Sequence, residues 1–144
     1  MKQQQQVFRE ESRRPLVVQT SYYKGEHRLD IRYHYWKDGE LRPTRKGISL
    51  RMQEPAGGDP CYSLAHDVIA GALSVNGEAL KFDTSAREPL VVRSTVYKGQ
   101  PRVDIRRHYW KDGELRPGRR GVSLPVQDEF ATQVLESALD MVIH

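Results

Sequence analysis

Residues 30–50 read DIRYHYWKDGELRPTRKGISL, and residues 104–124 read DIRRHYWKDGELRPGRRGVSL. The offset of 74 holds without a gap from Pro15/Pro89 to Leu50/Leu124, and about two-thirds of the paired positions are identical. One module is written twice, so the fold must be built from two like units. The chain has 144 residues. A unit of about 70 residues buries too little apolar surface to be secure alone. The two units are expected to pack against each other, or each against another chain.

Within the module, residues 15–23 (PLVVQTSYY) are β-branched and aromatic and read as a strand. Lys24-Gly25-Glu26 turns the chain, and residues 28–36 (RLDIRYHYW) form a second strand. A period of two puts Leu29, Ile31, Tyr33 and Tyr35 on one face and Asp30, Arg32, His34 and Trp36 on the other. The apolar face blurs at Tyr35 and Trp36, where a bulge is expected. Lys37-Asp38-Gly39-Glu40 is a hairpin turn. Residues 41–45 read as a short third strand, with Pro43 at an edge or an irregular place, and residues 47–50 as a short fourth. The second copy repeats this from residue 89 to residue 124.

The copies diverge beyond Leu50. Residues 51–60 (RMQEPAGGDP) are loop-like. Residues 63–75 carry Leu64, Val68, Ile69, Ala72 and Leu73 at helical spacing, and Asn76-Gly77 ends that helix. Residues 126–143 carry the stripe Phe130, Val134, Leu135, Ala138, Leu139 and Val142, with Gln127, Asp128 and Glu129 on the first turn, where acidic groups suit the helix dipole. The expected layout is a disordered polar tail over 1–14, a first module over 15–75 with its inserted loop and helix, a linker over 76–88 that is partly extended at ALKF, and a second module over 89–144. The fold class is α+β: two tandem four-stranded antiparallel sheets, each followed by an α-helix, packed as an intramolecular pseudo-dimer.

Charge is distributed unevenly. Residues 24–47 carry net +3 and residues 98–121 net +5, against +4 for the whole chain, so the remainder is acidic at −4. Positive hairpins on an acidic body point to a polyanionic partner, with a solvated strand face as the plain alternative. Cys61 is the only cysteine, which excludes an intrachain disulfide and a cysteine-based metal site. No apolar run is long enough for a signal peptide or a membrane span, so a soluble intracellular protein is expected. Aromatic and basic residues alternate along the hairpins, as on surfaces that stack bases and neutralise phosphates.

The ordered set Tyr23-Lys24-Gly25, Asp30-Ile31-Arg32, His34-Tyr35-Trp36, Asp38-Gly39-Glu40 and Pro43 to Leu50 occurs again as Tyr97-Lys98-Gly99, Asp104-Ile105-Arg106, His108-Tyr109-Trp110, Asp112-Gly113-Glu114 and Pro117 to Leu124. In this set each module resembles the C-terminal domain of the transcriptional coactivator PC4 (p15) and its bacterial and phage relatives. The resemblance implies a protein that binds single-stranded or unwound DNA with little sequence preference; no cofactor and no metal are expected. It assigns DNA contact to Tyr23, Lys24, Arg32, Tyr35, Arg45 and Lys46, and to Tyr97, Lys98, Arg106, Tyr109, Arg119 and Arg120. The other hairpin residues, Arg28, Trp36, Lys37 and Arg42 with Arg102, Trp110, Lys111 and Arg116, complete the candidate surface. An ungapped alignment puts Tyr35 and Tyr109 on the family's stacking position, but Trp36 and Trp110 adjoin them, and both pairs stay open. Two modules in one chain imply a monomer with an internal pseudo-two-fold, further oligomerisation staying open. The serine-rich acidic N-terminal region of the eukaryotic proteins is missing, which suggests a bacterial or phage-like protein in the cytoplasm, associated with the nucleoid. Transcription, replication, recombination and repair all fit.

Two other classes are weighed beside this one. Asp30 with His34, and Asp104 with His108, share a strand face and are candidates for an acid–base pair or the start of a metal site. No third ligand stands at useful spacing, the intervening arginines repel a cation, and no nucleophile or phosphate-loop motif is present, so no enzyme is expected. His66 and Asp67 read as solvent-facing. A basic face can also bind acidic protein segments, as a cofactor of transcription would, or single-stranded RNA, since stacking does not report the 2′-hydroxyl.

Overall fold

The computed structural model describes residues 3–52 and 63–143. Cys61 and most of the expected loop over 51–60 lie outside them. The first unit comprises β1 (Gln5–Phe8), β2 (Leu16–Tyr23), β3 (Glu26–Lys37), β4 (Glu40–Arg51) and α1 (Leu64–Ser74). The second comprises β5 (Leu80–Phe82), β6 (Leu90–Tyr97), β7 (Gln100–Lys111), β8 (Glu114–Pro125), a 3₁₀ turn at Gln127–Glu129 and α2 (Phe130–Ile143). Each sheet is an antiparallel meander, ordered β1-β2-β3-β4 and β5-β6-β7-β8.

Each unit thus has a four-stranded sheet followed by a helix, but the four strands are not the expected ones. Residues 41–50 form one strand, because β4 pairs with β3 on both sides of an irregularity instead of breaking there. The fourth strand precedes the repeat. Residues 5–8 are not part of a structureless tail: they pair with Leu16 to Gln19, and Phe8 packs edge-on against Phe130, ring centroids 6.3 Å apart. The equivalent strand in the second unit is the short extended piece expected at ALKF.

Four two-residue loops set the register. Lys24-Gly25, Asp38-Gly39, Lys98-Gly99 and Asp112-Gly113 all have positive φ at both residues, the type I′ geometry that matches strand twist. The glycine takes the second of these positions without steric cost.

The inner faces of the sheets supply Leu16, Val18, Leu29, Ile31 and their copies Leu90, Val92, Val103 and Ile105 to one continuous core. Val68 and Ile69 of α1, and Val134, Leu135 and Ala138 of α2, close it. Leu73, expected on the apolar stripe of α1, is exposed, while Met141 of α2 is buried. The helices are shared between units. α1 lies against β4 and then β5, β6 and β7, whereas α2 lies against β8, β2 and β3, and the two helices touch. Gly71 of α1 sits so close to β5 that a Cβ there would come within 2.8 Å of the Phe82 ring. Burial across units is the physical answer to two units too small to stand alone. The Ser63 hydroxyl caps α1 by accepting from His66 N–H at 3.0 Å. α2 begins four residues later than its periodicity suggests, because Asp128 and Glu129 take left-handed backbone.

Candidate nucleic-acid interface

The register sorts the site residues by face. On β3, Arg28, Asp30 and Arg32 lie opposite Arg51, Ser49 and Gly47 of β4, away from the core. The period of two carries His34 and Trp36 onto that face and leaves Tyr35, opposite Arg42, on the other. The same holds for Arg102, Asp104, Arg106, His108 and Trp110, with Tyr109 opposite Arg116.

The arginines on this face are held in place by the sheet. Arg28 Nε donates to Ser49 Oγ at 2.7 Å, and Arg102 Nε to Ser123 Oγ at 2.6 Å. Arg32 forks onto both oxygens of Asp30 at 3.1 Å and reaches Thr44 O at 2.9 Å. Arg106 repeats this with Asp104 and Gly118 O. Each lies flat over the glycine opposite: a Cβ on Gly47 would meet Arg32 at 2.7 Å, and one on Gly121 would meet Arg106 at 2.8 Å. These contacts preorganise the guanidinium groups.

The expected irregularity falls two residues earlier than Tyr35, at Tyr33. Between the pairs Arg32/Gly47 and His34/Pro43, β3 has Tyr33 alone and β4 has Thr44, Arg45 and Lys46. In the second unit Arg107 faces Gly118, Arg119 and Arg120. Such a bulge re-aims side chains, and both basic pairs ride on it, exposed. Thr44 Oγ1 donates to Tyr33 O at 2.7 Å, while a Cβ on Gly118 would lie 2.8 Å from Arg107 O. Arg45, Arg119 and Arg120 have no carboxylate partner among the described residues.

The aromatics at the strand ends are open. Tyr23 is 61% exposed and Tyr97 63%, each with its neighbouring lysine ammonium 5.4 Å from the ring centre. Trp36 and Trp110 are 43% and 57% exposed. Trp36 donates its indole N–H to Glu10 O at 3.1 Å, a contact with no counterpart at Trp110 among the described residues. Lys37, Lys111, Arg42 and Arg116 lie exposed on the hairpin arms, with Arg42 and Arg116 at 3.7 and 3.8 Å from Glu40 and Glu114.

The histidines serve structure. Nδ1 of His34 lies 3.1 Å from Arg32 O, Nδ1 of His108 lies 3.3 Å from Arg106 O, and both rings are buried. Burial pushes His108 below the usual histidine value, and His27 likewise. The carboxylates beside them are engaged by Arg32 and Arg106. His66 and Asp67 are partly exposed, 3.2 Å apart.

Several residues were invisible to the motif. Tyr22 is exposed and stacks on His27 at 4.7 Å, where the second copy has Val96 and Pro101. Tyr33 donates to Ser123 O at 3.0 Å across the units, and burial raises its phenol above the usual value, against the pull of Arg102 and Arg9. Arg107, its copy-equivalent, donates to Asp83 Oδ2 and Glu88 O, each at 2.9 Å. Asp83 also lies 3.6 Å from Arg51. Burial alone would raise the Asp83 carboxyl, but Arg107 and Arg51 outweigh it and hold it below the usual range. The positions where the copies differ are the sequence signal for all of these.

Two like units share one core and turn arginine-lined, aromatic-tipped sheet faces outward, a surface of the kind that meets polyanions. The family comparison agrees: the model of the transcriptional coactivator p15 (PC4) matches residues 11–55 and again 86–129, and the chain belongs to that family. It is a nucleic-acid-binding, non-enzymatic family. No curated protein and no solved structure matches the chain. No helix among the described residues is long and apolar enough to cross a membrane.

Proposed function

We propose that this protein binds single-stranded DNA with little sequence preference, stacking bases on its strand-end aromatics and neutralising phosphates with the arginines and lysines of the hairpins and bulges. The observation that carries the reading is the exposure of Tyr97 and Trp110, with Tyr23 and Trp36 in the other unit, beside cations on both units. Large aromatics left in water at matched places are a stacking platform, since every base has a π-face. The bases of a duplex are already stacked and turned inward, so such a platform favours unpaired strands. Trp36 and Trp110 share the face of the strand arginines, which supports a stacking role for them on that face. Tyr35 and Tyr109 flank the bulge side. The chain acts as a monomer, its second unit standing where a homodimer has a second subunit, and it takes part in transcription or in replication, recombination and repair.

Fluorescence anisotropy with labelled dT oligomers and a duplex of matched length, at two salt concentrations, tests this. Wild type is expected to bind dT tightly and with strong salt dependence, and the duplex weakly. Each stacked base contributes about 1–3 kcal/mol. Tyr97→Ala/Tyr109→Ala/Trp110→Ala is therefore expected to lose at least about tenfold in affinity while keeping its far-UV circular dichroism. Equal affinity for duplex, or an unaffected triple variant, would refute stacking and favour an acidic protein segment as the partner of the basic face.

A further inference from the structure

Two depressions meet at the bulge of the second unit. One, of about 410 Å³, lies over the outer face of β3 and β4; Arg28, Arg32 and Arg45 line it from the first unit, and Arg107, Arg119 and Arg120 from the second. The other, of about 380 Å³, shares Arg107, Arg119 and Arg120 and runs on past His108 to Tyr109. They make one trough, leading from the strand arginines of the first unit to an exposed aromatic of the second. Among the described residues the only acidic one along it is Glu88, whose carbonyl is bound by Arg107. Arg28, Arg32 and Arg107 have carboxylate partners, so Arg45, Arg119 and Arg120 supply its uncompensated charge. Three such cations converging in one depression call for an anion.

The trough is one-sided. Ser49 lines it in the first unit, and the copy-equivalent of Ser49 is Ser123. The Tyr33 hydroxyl bonds to Ser123 O, so the tyrosine ring occupies in the second unit the place that is open in the first. In the open place the copy-equivalent of Tyr33 is Arg107, which is drawn aside to Asp83 and Glu88.

The geometry points to a crossover site: a phosphodiester group binds among Arg45, Arg107, Arg119 and Arg120, so that one single strand passes from the outer face of the first sheet to Tyr109 of the second unit, with no equivalent crossing on the Tyr33 side. This rests on the single-strand reading and adds the path of the strand between units.

Two measurements test it. In the first, pyrophosphate is titrated into ¹⁵N-labelled protein and the arginine Nε–Hε resonances are followed. Saturable shifts are expected at Arg45, Arg107, Arg119 and Arg120 and not at Arg102 and Arg106, and those at Arg45, Arg119 and Arg120 vanish in Arg107→Tyr, which installs the residue the first unit carries there. Arg107→Gln serves the same purpose should the tyrosine disturb the fold. Shifts spread evenly over all arginines overturn the site. In the second, dT oligomers of roughly 6 and roughly 20 nucleotides are compared, short enough for one unit and long enough for both. Arg107→Tyr is expected to flatten the slope of log K against log salt by about 0.7 for the long oligomer, one phosphate contact, and to leave the short one unchanged. An equal loss at both lengths, or no change at either, overturns the crossing. If pyrophosphate fills the trough but wild type binds neither oligomer, the single-strand reading and the crossing both fail, and a free-phosphate site is what stands.

Discussion

Gly121→Ala tests how the outer face is assembled. The backbone there is ordinary strand, so the substitution acts only through what the new methyl group meets. It would lie 2.8 Å from Arg106 Cβ and Cγ, atoms close to the backbone that cannot swing away as a guanidinium tip can. Overpacking of this kind costs about 1–3 kcal/mol. Arg106 can relieve it only by leaving the glycine, which breaks its fork onto Asp104 and its bond to Gly118 O. A hydrogen bond to a charged group contributes about 1.5–3 kcal/mol, and Asp104, its side chain 7% exposed, has among the described residues only Arg93 at 3.9 Å to fall back on. The expected loss is about 3 kcal/mol, read as a urea midpoint lower by about 1 M or more. Gly47→Ala is expected to cost less, because Asp30 at 16% exposed is better reached by water once Arg32 is displaced. Arg106→Ala removes most of the clashing atoms beforehand, so the double variant should cost less than the sum of the singles. A loss below about 0.5 kcal/mol for Gly121→Ala, or strict additivity in the double variant, would refute the argument that this glycine exists to seat the arginine.

Three further outcomes are expected. Phe8→Ala, which removes the edge-on contact with Phe130, should cost about 2 kcal/mol in urea unfolding, below the 3–5 kcal/mol of a fully buried phenylalanine; no loss would mean that β1 is not part of the cooperative unit. His27 and His108 resist protonation in the folded state, so their contribution to stability is complete above their ordinary value of 6.5 and is lost as pH falls below it; His27→Gln/His108→Gln should flatten that part of a Tm–pH profile. The Asp83 carboxyl is held below its ordinary 3.8, so its contribution persists above that value and is lost as pH falls beneath it; Asp83→Asn should lose about 1.5–3 kcal/mol near neutrality and lack this acid limb.

What the sequence made legible was whatever repeats or has a period. The hairpin turns, the inner and outer faces of β3, the two helices and the shared core all follow from spacing and from turn chemistry. The misses have physical causes. β1 is four residues of Gln-Gln-Val-Phe, polar enough to read as tail, and it is a strand only because β2 offers an edge and Phe130 a partner for Phe8. The bulge lies earlier than apolar periodicity suggests, because periodicity marks where a face fails, whereas this bulge arises from two extra residues on the opposite strand. Arg107 and Tyr33 fall outside the motif because it consists of what the copies share, and these two matter through how they differ.

That difference has a cause in the symmetry of the chain. In a homodimer any side chain at the junction appears on both sides of the axis, so a groove that one residue fills is filled twice and one that it opens is opened twice. Writing both units in one chain removes the constraint. Here Tyr33 closes one junction with a hydrogen bond to Ser123 O, and Arg107 stands at the other beside Arg119 and Arg120. The core, by contrast, keeps the two-fold pattern, since Leu16, Leu29, Ile31 and Leu50 are matched by Leu90, Val103, Ile105 and Leu124. Packing tolerates little change on either side, so the units stay alike inside. The junction surface carries no such demand, and it is there that a fused pair can give a bound strand a route that two identical subunits would have to offer twice.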